Sequence, residues 1–212
     1  MNNFLSEPVN YIKIYIVLSL LWCAFFYVDK KRNRYLLIIL LLSVCCEIVT
    51  SVFNNYPKIK HGNINIYFVF LDLLWFLIFY ELTHNKKRIV ATLLFYLVVC
   101  IINLEFIESG INYNLFIVGA LLYVILFIME NFHQLNVENL SFFHSNKYLL
   151  LFCPVLFFLG LSFILGFKSP TLYSTKMCFN LNVYQLINYP INITYYTLMN
   201  VYMFREKRKS YV

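Results

Sequence analysis

Charge is what this sequence lacks. Of its 212 residues only 13% are Asp, Glu, Lys or Arg, roughly half the share of an ordinary water-soluble domain. That is too little to cover a soluble surface, so much of the outside is expected to face lipid. The mean hydropathy of +0.70 agrees. Glycine is scarce as well, at five residues with no G-x-x-x-G spacing. Rocking transporters usually use small residues where helices slide, so the scarcity counts against that mechanism. Neither a Gly-rich phosphate loop nor a G-x-S-x-G elbow occurs. The last apolar run has no Lys, which excludes a retinal Schiff base there. No His falls within an apolar run, which argues against haem ligation inside a membrane.

What is present is apolar and aromatic: 61% hydrophobic residues, with 22 Phe and 18 Tyr. A helix needs about 20 apolar residues to cross roughly 30 Å of hydrocarbon. Segments near 11–28, 35–53, 64–82, 89–107, 113–132, 148–167 and 181–204 meet that need. The expectation is one all-α transmembrane domain of seven helices, a polytopic integral membrane protein. Short connections leave no room for a soluble domain on either side. IYIVLSLLWCAFFY (14–27) and LFIVGALLYVILFI (115–128) echo one another, which suggests a 3+1+3 parallel repeat, a device of some transporters.

The net charge of +7 is placed in clusters at the ends of apolar runs, as topology determinants are, so no direct nucleic-acid contact is expected. With seven crossings, Lys13, Lys58, Lys60, Lys168 and Lys176 fall on one side, and the remaining Lys and Arg on the other. The positive-inside rule then places the N-terminus outside and the C-terminus in the cytoplasm of a bacterial inner membrane. MNNFLSEPVN has no basic residue before the first apolar run, so that run is expected to be kept rather than cleaved. Cys23, Cys45, Cys46, Cys100 and Cys153 lie in apolar runs and read as small core residues; Cys178 lies in a loop.

Glu47, in LLSVCCEIVTS, is the difficult residue, because an ionised carboxylate inside a bilayer is costly unless paired. Counting ~1.5 Å per residue from the expected span ends puts Glu47 and Asp72 at one depth on neighbouring antiparallel helices. Asn103, Ser162, Gln185, Asn188, Asn192 and Tyr195 fall in the same slab. Gln185, Asn188, Asn192 and Tyr195 follow one helical face, beside a Pro190 that removes a backbone donor. No Lys or Arg is expected at this depth. The slab therefore reads as a polar cluster with Glu47 or Asp72 protonated or hydrogen-bonded to the amides. It is either a proton-linked or ligand-binding pocket, or a network that fixes helix register.

Glu81-Leu-Thr-His84 and Glu130-Asn-Phe-His133 are both Glu-x-x-His, a pattern that can hold two metals when further carboxylates face it. Those carboxylates are missing from facing runs, so polar helix ends are the reading preferred, and no metal or other cofactor is expected.

NIYFVFLDLLWFLIFYELTHNKK (65–87), INYNLFIVGALLYVILFIMENF (111–132), YLLLFCPVLFFLGLSFILGF (148–167) and NITYYTLMNVYMF with its basic tail resemble a family of small bacterial membrane proteins of six to seven spans. That family includes the membrane protein accompanying the RNA-guided RNase of some type VI-B CRISPR loci. The resemblance implies a non-enzymatic accessory or regulatory role in antiviral defence, and carries over no catalytic residue. Basic cytoplasmic ends would then engage a protein partner or anionic lipid, and the chain could associate with itself. A small transporter or channel using the polar slab is the alternative. A third reading is an intramembrane lipid hydrolase with Glu47 and Asp72 as acid and base.

Overall fold

The computed structural model describes residues 8–25, 33–83, 85–105, 110–166 and 182–209. They are helical almost throughout. In chain order the helices are α1 (Pro8–Phe25), α2 (Arg34–Val52), α3 (Pro57–Leu82), α4 (Lys86–Glu105), α5 (Tyr113–Asn136), a short α6 (Leu140–Phe143), α7 (Asn146–Gly166) and α8 (Val183–Lys209). Four of them, α2, α3, α5 and α7, are long and apolar enough to cross a membrane; α1 contains a shorter apolar stretch, Ile12–Ala24.

The helix ends come from local chemistry that hydropathy does not register. α3 starts seven residues before the apolar run expected at 64, because Pro57 occupies its first turn. Proline is pre-set for that position and loses no needed donor there. The side chain of Asn112 accepts from the Leu115 amide and caps α5. Asn182 and Gln185 bond reciprocally at the start of α8: Asn182 Oδ1 accepts from the Gln185 amide at 2.8 Å, and Gln185 Oε1 from the Asn182 amide at 3.1 Å. That pairing is a capping box, and it assigns Gln185 to helix initiation.

Cross-helix contacts give the directions. Asn63 of α3 bonds Cys46 of α2, and Arg34 of α2 bonds Glu81 of α3, so these two helices are antiparallel. Asn146 of α7 bonds Glu206 of α8, and Cys153 bonds the Tyr195 carbonyl, so that pair is antiparallel as well. Tyr15 meets Thr197, and Ser19 meets Asn200, so α1 and α8 run parallel. α1, α2, α3, α5, α7 and α8 each pack on the next and close into a ring, while α4 lies against α3 and α5 on its outside.

Two of the rare glycines stand where helices touch most closely. A Cβ on Gly119 of α5 would lie 2.6 Å from Asp72 Cγ and 2.9 Å from Tyr96 Cε2; on Gly160 of α7 it would lie 2.8 Å from Ile191 Cγ1. Small residues permit such approach between lipid-embedded helices.

The outward faces are apolar. Ile38, Leu41, Ile48 and Val52 on α2, and Val90, Leu94, Val98 and Ile101 on α4, are all exposed. Their spacing is that of single helix faces. Contiguous apolar surface of this extent is rare on a protein surrounded by water.

Candidate functional site

Residues of α1, α2, α3, α7 and α8 line a partly open cavity of 290 Å³. It lies toward the start of α1, α3 and α8 and the finish of α2 and α7, which the helix directions bring to one end of the bundle. Lys13 comes from the first turns of α1 and Glu47 from the last turns of α2. Lys13 Nζ stands 3.3 Å from Glu47 Oε2 and donates to Ser51 Oγ at 2.7 Å. A closed ammonium–carboxylate hydrogen bond runs near 2.8 Å, so the ion pair is loose. Glu47 Oε1 has no hydrogen-bond partner among the described residues, and both charged groups line the cavity.

Opposite them, α8 presents amides. Asn192 Nδ2 donates to the carbonyl and to the Oδ1 of Asn188, each at 2.8 Å. This leaves the Asn188 amide nitrogen and the Asn192 amide oxygen with bonding capacity toward the cavity that both residues line. The α2–α3 wall contributes Ser43 Oγ, which donates to the Ile39 carbonyl and lies 3.3 Å from Tyr67 Oη. The remaining wall is mostly apolar and aromatic, with Ile16, Ile64, Phe157 and Leu161, and carries the hydroxyls of Thr50, Tyr184, Tyr189 and Tyr196.

A second, larger cleft of 680 Å³ opens toward the other end of the same α2, α3, α7 and α8. Arg34, paired with Glu81 at 3.2 Å, stands at it beside Asn33, Lys147 and Tyr202. Between cavity and cleft, by position along each helix, Leu40, Leu71, Trp75, Cys153, Tyr195 and Met199 are wholly buried. The layer is tied across the ring, since Trp75 Nε1 of α3 donates to Tyr195 Oη of α8 at 3.0 Å. Phe157 stacks on Tyr195 with ring centroids 4.5 Å apart.

The polar slab expected from the sequence is thus divided. Glu47, Asn188 and Asn192 line the cavity, and Tyr195 lies in the buried layer next to it. Gln185 belongs to the α8 capping box. Asn103 donates to the Val99 carbonyl of its own helix and accepts from Asn112. Ser162 Oγ is buried without a hydrogen-bond partner among the described residues, away from the cavity lining.

Asp72 is the principal correction. It is buried on the α4–α5 side of α3, where Tyr96 Oη donates to its Oδ2 at 2.7 Å and Gly119 backs it. The reason is the α2–α3 register. Residues beside Glu47 are level with Asn63, and Asp72 is nine residues further along α3, roughly 13 Å at ~1.5 Å per residue. α3 begins at Pro57, ahead of the apolar run at 64, so distance along that run does not give the depth of Asp72. Glu47 and Asp72 therefore form no acid–base pair. The second correction is Lys13, a cation at the depth of Glu47 where none was expected. Its position near the start of an apolar run looks like a topology determinant; only the antiparallel α1–α2 pairing reveals its partner.

Of the Glu-x-x-His residues, His84 lies outside those described. Glu81 is paired with Arg34, Glu130 accepts from Gln134 Nε2 at 2.7 Å, and His133 is exposed in the last turn of α5. Among the described residues no three His, Cys, Asp or Glu side chains are grouped as metal ligands. No protein-family model, curated protein or solved structure matches the chain.

Proposed function

We propose that this chain is a non-enzymatic sensory or regulatory protein of a bacterial inner membrane, crossing it seven times with the start of α1 outside. A small ligand enters the outer cavity, and the basic inner cleft presents its state to a cytoplasmic protein or an anionic lipid. The observation that carries the reading is the loose Lys13–Glu47 pair at the wall of a cavity. Ionisable groups at membrane depth are costly, and they mark ligand or ion paths more often than they mark packing. The alternating directions of the seven long helices and their exposed apolar faces support the crossings. The ring order is also what a 3+1+3 repeat would give, with α4 as its linker.

Thermal unfolding of the protein in nanodiscs against fractionated polar metabolites tests this. A small molecule is expected to raise the midpoint of the native chain and leave Glu47→Gln unmoved. Failure of every fraction to move the native chain contradicts it. A fluorescent reporter fused after α8 is expected to fold in the cytoplasm.

The process regulated is proposed from the resemblance to accessory proteins of type VI-B CRISPR loci, with the Arg34 and Lys147 cleft and the Arg205–Arg208 segment as the surface that meets the effector. Phage plating with the RNase alone and with both proteins is expected to differ.

A transporter is the second reading, favoured by one observation: two cavities on the same four helices open toward opposite ends. Uptake into proteoliposomes would distinguish it.

A further inference from the structure

We infer that the outer cavity takes an amino-acid-type zwitterion with an apolar side chain. This deepens the ligand-binding reading above and rests on it. Lys13 and Glu47 are held near each other but not closed on each other, with Nζ and Oε2 3.3 Å apart. A lone anion in this cavity would meet Glu47, and a lone cation would meet Lys13; each would leave one charge of the part-exposed pair repelled or unpaired. A molecule carrying both charges answers both. Its carboxylate goes to Lys13 and the open amide nitrogen of Asn188, and its ammonium to the unpartnered Glu47 Oε1 and the open amide oxygen of Asn192. Ligand ammonium and carboxylate thereby exchange partners with the protein's own pair, and net charge in the cavity is unchanged.

Size and surface narrow the class. At 290 Å³, the cavity falls just below the usual range of ligand pockets, roughly 300 to 1,000 Å³. It suits a metabolite of amino-acid size rather than the acyl chains of a lipid. Ile16, Ile64, Phe157 and Leu161 make most of the wall apolar, beside the hydroxyls of Thr50, Tyr184, Tyr189 and Tyr196, so the side chain that lies on it is mainly apolar or aromatic.

Cys46, which lines the same cavity, gives the assay. Full-length protein in nanodiscs is treated with a small methanethiosulfonate, and the rate of modification at Cys46 is read by peptide mass spectrometry. The probes are phenylalanine, phenethylamine and hydrocinnamate, which share a ring and differ in charge. Phenylalanine is expected to slow the reaction at concentrations about tenfold or more below those needed for either one-charge analogue, since a hydrogen bond to a charged group is worth more than a factor of ten. In Glu47→Gln the advantage of phenylalanine over hydrocinnamate is expected to vanish. Equal protection by phenylalanine and by one analogue overturns the zwitterion while the cavity remains a ligand site. If no probe protects Cys46 the zwitterion is overturned, and if a polar cell extract also fails to protect it, the ligand-binding reading goes too.

Discussion

Trp75 of α3 and Tyr195 of α8 belong to helices whose backbones do not approach closely, yet the rings meet edge-on and the indole nitrogen donates to the phenol oxygen at 3.0 Å. The bond therefore crosses the middle of the helix ring. It lies between the cavity at Lys13 and Glu47 and the cleft at Arg34 and Lys147, in a layer from which solvent is excluded. Tyr123 flanks Trp75 edge-on at 6.2 Å between centroids and donates its own hydroxyl to the Leu151 carbonyl at 2.9 Å, tying α5 to α7. The two openings are thus separated by oriented aromatic groups whose polar atoms are satisfied.

Tyr195→Phe is expected to keep the ring and lose the acceptor, leaving the Trp75 N–H buried and unpaired. Such a group costs about 1–3 kcal/mol. Thermal unfolding in nanodiscs checks this, and Tyr195→Phe is expected to fall clearly below the native midpoint, with Trp75→Phe in the same background recovering part of the unpaired donor's cost.

Gly119→Ala is expected to destabilise the bundle by about 1–3 kcal/mol or more, through overpacking. Its Cβ would press on the Asp72 carboxyl and the Tyr96 ring, both held in place by their mutual bond. Gly62→Ala has nothing within 4 Å of its Cβ and serves as the control, with little change expected. Combining Gly119→Ala with Asp72→Ala should cost less than the two single changes summed, because contacting sites couple.

The two acids are expected to behave differently. Glu47→Gln removes one partner of a part-exposed, loose ion pair, and such pairs contribute about 0–1 kcal/mol; the fold should tolerate it and ligand response should not. Asp72→Leu deletes the acceptor for a buried Tyr96 hydroxyl and should destabilise the protein without changing Cys46 protection by ligand. Unfolding and Cys46 labelling of both variants, measured side by side, check the division.

How far the sequence carried the structure depends on which physical signal was being read. Apolar runs locate α2, α5 and α7 closely, because burial and lipid contact both demand apolar residues along their length. They misplace the start of α3, where Lys58, Lys60, His61 and Asn63 are polar yet helical behind Pro57. That error of about two turns moved Asp72 to the wrong depth. The one-face spacing of Asn188 and Asn192 was legible, since helical periodicity needs no knowledge of neighbours. Gln185 shared the spacing but serves the cap, and Asn182 three residues before it was the signal. Lys13 with Glu47 was not legible: their meeting depends on how α1 packs on α2, and no pattern within either segment encodes that.

The central claim is that Glu47 meets Lys13 at the wall of a cavity, and that Asp72 lies elsewhere. In a background with Cys45 and Cys46 replaced by serine, Lys13→Cys with Glu47→Cys is treated in nanodiscs with a short bis-methanethiosulfonate, beside Glu47→Cys with Asp72→Cys. Peptide mass spectrometry then separates one bridging group from two pendant ones. A bridge between positions 13 and 47, with none between 47 and 72, is the result expected. A bridge between 47 and 72, with positions 13 and 47 left unlinked, would contradict the account.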